Sequence, residues 1–467
     1  MFSKLALLTL LGSAAASEPK HCTDDCLRSS HPHDPPLMQV KGSMARKQRF
    51  WEHMKMDNKM MIGTSQGATP CVDGMAGEYA CSGVDMQSFV TLKDLGCDGD
   101  GSDIWGWTDE EGNEYALATC ESGTSFVDVT DAVNPVVLGF LPTNTVKSWW
   151  FDVKIYKNYA YIGSEAFNHG MSVFDLSQLT TLSKEYRASE AYVSRANMTS
   201  TSRTTAHVNL GNTLKPNSVY KEFGSSHNIV INEETGFLYA VGSKTCDGGP
   251  HIVDVRDPAN PTFVGCYSAD GYTHDAECVI YKGPDDRYTG QEICFMYNED
   301  TLTIADMTDK DNIRMLARHS YDGAVYTHQG SLNADMTHLL LNDELDEEEI
   351  SGLDGHTRSM IWDVSKLDTP TLIGNFYSSE KAIDHNEYIH KGVSWQSNYC
   401  AGLRVLDARS LETGVTKELA YFDVSPECDT AIFMGAWSAF PYFNSGNIIV
   451  QSIERGLFVL KPTFELS

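Results

Sequence analysis

Positive charge is scarce in this 467-residue chain: 35 lysines and arginines stand against 64 aspartates and glutamates, a net charge of −29. Phosphate binding needs concentrated Lys and Arg, so nucleic acid and anionic membrane surfaces are excluded as partners. Long apolar runs are missing too. Beyond Leu5 to Leu11 nothing approaches the roughly 20 apolar residues of a membrane span, and no spacer with a hydrophobic tail suggests a GPI anchor. G-x-S-x-G, Walker, H-E-x-x-H and Rossmann glycine patterns are all absent. No zinc-type double pair of cysteines occurs, since Cys22 and Cys26 face no second pair.

What is present begins with an address. Lys4, the apolar run and Gly-Ser-Ala-Ala-Ala-Ser are the charged, apolar and small-residue parts of a signal peptide, residues 1–17, so the chain is expected to be extracellular, soluble and monomeric. Export makes disulfides the default for the 12 cysteines. Sequence leaves connectivity open; proximity alone suggests Cys71–Cys81, Cys97–Cys120, Cys246–Cys266, Cys278–Cys294 and Cys400–Cys428. The acid excess serves solubility or attraction for cations.

A repeated phrase organises the rest: an apolar β-run, Asp, a polar turn often with Pro, then another apolar run. It reads SFVDVTDAVNPVVLGFL at 125–141, HIVDVRDPANPTFVGCY at 251–267, LTIADMTDKDNIRMLARH at 302–319 and SMIWDVSKLDTPTLIGNF at 359–376. Weaker copies are MSVFDLSQLTTL at 171–182 and LRVLDARSLETGVTKELAYF at 403–422. Each predicts two antiparallel strands, with the Asp side chain accepting backbone N–H groups two residues on. Two more short β-runs precede each phrase, beginning near Asp103, Trp150, His227, His274, His328, His385 and Trp437. Four strands per unit and seven starts predict an all-β fold, a seven-bladed β-propeller over 88–467. The last unit has only three strands, so Ser88–Leu95 is expected to complete it by pairing with Gly456–Lys461, leaving no open sheet edge. Residues 18–87 read as an irregular Cys-containing leader. The Ser/Thr/Asn-rich stretch 189–221 reads as an inserted loop, carrying the glycosylation sequon Asn197-Met198-Thr199.

Several segments (ACSGVDMQSFV, DIWGWTDEEGNEYAL, FGSSHNIVINEETGFLYAVG, YTHDAECVIYKGPDDRYTG, LLLNDELDEEE and AIDHNEYI) resemble the LVIVD-repeat proteins known as "choice-of-anchor B". The resemblance runs from about Cys81 to the C-terminus. It implies an extracellular propeller and little about activity. The sequence departs from the anchored members in lacking a C-terminal sorting segment.

Four consecutive units open alike: Ser226-His227-Asn228, Thr273-His274-Asp275, Thr327-His328-Gln329 and Asp384-His385-Asn386. The first strand of a blade lines the channel, so the four imidazoles are expected around one mouth. Acids stand where the second strands end, at Glu165, Glu299, Asp343, Glu344 and Glu454, and Glu387 shares a face with His385. Such carboxylates can receive the second ring N–H of a ligating His. The pattern suggests a divalent transition metal (zinc, copper, iron or manganese) held by His227, His274, His328 and His385, with Glu165, Asp275, Asp343, Glu344 and Glu387 as second-shell or additional groups. Open positions on it would permit hydrolytic or oxidative chemistry. The structural alternative is that each ring merely bonds a neighbouring blade.

Two further function classes stay open. One is a non-catalytic scaffold binding an extracellular protein, glycan or other small molecule. The other is a calcium-dependent hydrolase using Asn228, Asp275 and Asn386. Calcium is also conceivable at Asp98, Asp100 and Asp103, although Gly and Asp build ordinary turns. The run NDELDEEE, 342–349, reads as a solvated charged loop. Trp105, Trp107, Trp149, Trp150 and Trp437 read as packing between blades.

Overall fold

A computed structural model describes residues 47–52, 62–192 and 207–465. Signal residues 1–17, Cys22, Cys26 and the sequon at Asn197 lie outside them. The chain divides after His53; of the first unit only 47–52 is described, and it is helical. The second unit is a seven-bladed β-propeller.

Each blade is an antiparallel meander of four strands. In blade 1 these are Gly101–Thr108, Glu114–Cys120, Gly123–Asp128 and Val136–Pro142. The innermost strands of blades 2 to 7 are Phe151–Tyr156, Asn228–Asn232, Asp275–Ile280, Thr327–Leu332, Asn386–His390 and Ala436–Phe440. Each touches the next, and the last touches the first, so they enclose a channel.

Closure is made by the N-terminal strand. Val84–Thr91 pairs antiparallel with Gly456–Pro462 and completes blade 7. The strand begins four residues earlier than Ser88, and Leu92–Leu95 is a single helical turn instead of its end. Local chemistry explains this. The Thr91 hydroxyl accepts the Asp94 N–H at 3.2 Å, and Gly96 stops the turn at φ 87°. Tyr79–Ser82 pairs with Glu418–Phe422, adding a strand to the outer edge of blade 6.

The Asp before each strand-3-to-4 turn does what its position predicts. Asp128, Asp175, Asp254, Asp306, Asp363 and Asp407 each accept the N–H of the residue two places on, at 2.8–3.2 Å. Blade 2 departs after this Asp: Ser177–Arg187 is a helix, and the outer strand is supplied later by Ser218–Tyr220. Val208–Asn209 runs parallel to the outer strand of blade 1. The stretch around 189–221 therefore ends in strands that edge two blades.

The apolar core lies between blades. Trp395, Phe89, Phe458 and Tyr79 fill the space between blades 6 and 7, while Ile104, Phe443 and Ile449 lie between blades 7 and 1. All five disulfides that proximity suggested are formed.

Phe89, on the closing strand, stacks on Phe458 at 4.4 Å and is fully buried. Phe89→Ala is expected to destabilise the propeller by about 3–5 kcal/mol. Val415→Ala, at a position 67% exposed, is expected to change stability by less than about 0.5 kcal/mol. Chemical denaturation of both variants checks this; equal stabilities would show that the N-terminal strand does not secure the ring.

Candidate metal centre

The channel mouth is built where first strands begin and second strands end. His227, His274, His328 and His385 occupy the start of the innermost strands in blades 3 to 6, and their rings form a continuous arc. Successive centroids are 4.3, 4.1 and 4.5 Å apart. All four are buried, His274 and His328 at 1% exposure.

Hydrogen bonds set the tautomers. Nδ1 of His274 lies 2.9 Å from the carbonyl oxygen of His328, and Nδ1 of His385 lies 2.6 Å from that of Trp437. A carbonyl only accepts, so both Nδ1 atoms carry the proton and each Nε2 presents a lone pair. The Nδ1 of His227 meets Glu165 Oε1 at 2.6 Å and is held the same way. Backbone carbonyls of the next blade thus do for two histidines what carboxylates were expected to do, and Glu165 fills the expected role for His227.

Glu344 is the carboxylate of the site. It is fully buried, with Oε1 3.5 Å from His385 Nε2 and Oε2 3.6 Å from His328 Nε2. The Tyr399 hydroxyl donates to Oε1 at 2.7 Å. Single ligand atoms of His274, His328 and Glu344 lie within 4.8 Å of one another. Metal bonds of about 2.1 Å at a tetrahedral angle separate ligand atoms by about 3.4 Å, so the two imidazole–carboxylate spacings fit a metal ion.

The other candidates are engaged elsewhere. Asp343 accepts the N–H groups of Val325 and Tyr326 and the Tyr321 hydroxyl, at 2.7–2.8 Å, and fixes the segment entering blade 5. Glu387 accepts from Ser394 and Gln396, both at 3.0 Å, and bonds no histidine. Both partners lie on Val393–Ser397, the second strand of its own blade. Asp275 accepts the Ala276 N–H at 2.7 Å, and burial pushes its carboxyl up to about 6. The Asn228 amide donates to the His274 carbonyl at 3.1 Å. Glu454 takes the Gly435 N–H on both oxygens, at 2.9 and 3.1 Å. Asp98 pairs with Lys147 and Asp103 with Lys154, so the CDGDGSD acids diverge.

One expectation changes. The acidic run is not a solvated loop: Asp343, Glu344 and Asp346 are fully buried and Glu347 nearly so. Burial pushes the Asp346 carboxyl up to about 8, even with Arg358 at 2.6 Å. Trp105 packs between blades 1 and 7, on Phe440 at 5.1 Å, and also reaches across the channel, edge-on to Tyr388 of blade 6 at 5.4 Å. Sequence reading missed Tyr399, which stands just past the second strand of blade 6, much as Glu165 and Glu344 do in blades 2 and 5; aligning the blades on strand ends reveals it. A second group, Cys246, His251 and Cys266, has ligand spacing but not ligand chemistry, because the two sulfurs are joined.

Fold and site together define a propeller with a histidine-lined mouth. Residues 151–185 and 245–269 match the LVIVD repeat family, and the chain is a β-propeller carrying LVIVD repeats. No curated protein matches it. Similar solved structures include the periplasmic gluconolactonase PpgL of Pseudomonas aeruginosa, with TM-score 0.45 and 10% identity over 68% of this chain and 85% of that one. The Cps50 (Swd1) β-propeller domain of Myceliophteria thermophila gives 0.44 and 10% over 77% and 96%.

Burial raises the carboxyls of Glu277 and Glu454 to about 7 and Asp423 to about 6. Each group holds its proton more tightly folded than unfolded, so stability falls as pH climbs from about 4.5 through 7. Glu454→Gln, which cannot ionise, is expected to flatten this fall. Melting curves at pH 5 and pH 8 check it, and a wild type more stable at pH 8 would contradict the sign.

Proposed function

We propose that this is a secreted metalloprotein whose channel mouth holds one divalent transition metal on His274, His328 and Glu344. His385 stands beside Glu344, and His227 completes the arc. The observation that carries the proposal is the approach of those three ligand atoms to within 4.8 Å in a fully buried setting. Two imidazoles and one carboxylate form the donor set of hydrolytic zinc sites, and an ion there would act as a Lewis acid with a position left for substrate. The supporting groups are those that orient: the His328 carbonyl turns the His274 ring, and Tyr399 holds Glu344. The His227–Glu165 pair, with its proton on Nδ1, has the form of a general base beside the ligands. Export is supported by five disulfides, and among the described residues no helix is long and apolar enough to cross a membrane.

Elemental analysis of natively purified protein is expected to find about one transition-metal ion per chain. Zinc at 100 times its Kd should add about 2.7 kcal/mol of stability. That gain should shrink below about pH 6.5 as imidazoles protonate. Replacing His274 and His328 together with Ala should abolish the gain and leave the blades folded. Tyr399→Phe should weaken affinity roughly 10- to 100-fold. A full zinc-dependent gain in the double variant would place ligation elsewhere, and no gain with any divalent metal would leave a scaffold.

A further inference from the structure

Along the innermost strands, starting at the residue after His274, a second set of charged groups meets in the channel. Lys154 Nζ lies 2.6 Å from Asp152 Oδ1 and 3.1 Å from Asp103 Oδ2. It also sits 4.7 Å above the centre of the Trp105 ring. Asp275 and Glu277 of blade 4 look onto the same space: Asp275 feels the charges of Lys154 and Asp103, and Tyr442 feels those of Glu277 and Lys154. Three carboxylates thus share one ammonium, with Glu277 beside Asp275 on the same strand.

Aromatic faces close the other side. Trp105 meets Tyr388 at 5.4 Å and Tyr442 at 6.1 Å, and Tyr388 meets Tyr442 at 6.2 Å. Blades 1 and 6 are not neighbours, so the Trp105–Tyr388 contact spans the channel. Trp105, Lys154, Asp275, Glu277, Tyr388 and Tyr442 all keep some solvent exposure. Two carboxylate oxygens at the edges, Asp103 Oδ1 and Glu387 Oε1, are buried without a hydrogen-bond partner, in residues 2% and 0% exposed.

A carboxylate removed from bulk water needs compensating positive charge, and an aromatic face attracts an ammonium group. Lys154 shows the arrangement already made once, with its ammonium between two carboxylates and over an indole. Asp275 and Glu277 repeat the acidic half with no lysine in a salt bridge to them among the described residues; Glu277 accepts the Leu332 N–H at 2.8 Å. We infer that this part of the channel binds a small organic ammonium ion, with Asp275 and Glu277 supplying charge and Tyr388 and Tyr442 the aromatic faces. The net charge of −29 draws such cations toward the protein. The site adjoins the proposed metal centre, since Asp275 follows His274, but uses none of its ligands.

Isothermal titration of the whole protein with 1,4-diaminobutane at pH 8 tests the assignment. Saturable binding of one ligand per chain is expected, with affinity lowered at least tenfold in Glu277→Gln and in Tyr442→Leu. Glu277→Gln keeps an acceptor for the Leu332 N–H, so its fold should persist, and melting curves verify this. The His274→Ala, His328→Ala double variant should bind the diamine as the wild type does, which separates this site from the metal centre. Absence of saturable binding overturns the inference. So does unchanged affinity in both channel variants, or displacement by magnesium at matched ionic strength, which would make it an inorganic cation site.

Discussion

The inner edge of each innermost strand has no strand to pair with. Its backbone groups are buried around a channel and must find partners that are not part of a sheet. Side chains of the preceding blade meet this need. Asp103 accepts the Val153 N–H, Asp152 that of Ile229, and Glu277 that of Leu332. Gln329 and Ser331 do the same for Glu387 and Ile389. Polar side chains are therefore required along the axis, whatever the protein does, and both charged regions of the channel grow from that requirement.

At the mouth the same logic produces ligand geometry. Two of the histidines satisfy a carbonyl of the next blade with Nδ1, His274 that of His328 and His385 that of Trp437. The structural bond and the presentation of Nε2 are one act. The structural and the metal-binding readings of these residues are therefore not rivals. What gives this arc of histidines the spacing of a candidate metal site is Glu344, which follows the second strand of blade 5 and faces two of them.

The acidic composition takes on local meaning in this frame. Much of the charge lies at turns and on the surface, where water screens it. A smaller part is buried around blade 5 and the channel, where desolvation raises Asp346 to about 8 and Glu277 to about 7. Buried acids of this kind cost stability unless a proton or a cation compensates them.

Blade number, closure and disulfide pairing were legible in the sequence because each follows from local periodicity or short chain separation. The Asp-turn phrase recurs with the strands around it, a missing fourth strand must come from the other terminus, and cysteines 10 to 28 residues apart sit in adjoining strands and loops. The four histidines were legible as equivalent positions for the same reason. Direction was not. Glu387 shares a strand with the His385 site yet bonds Ser394 and Gln396, while Tyr399 and Glu344 meet across blades at 2.7 Å. The run Asn342–Glu349 reads as surface and is largely interior, because blade 5 folds it inward against Arg358. Alternation along a strand says which residues share a side; only the packing of one blade on the next decides what that side faces.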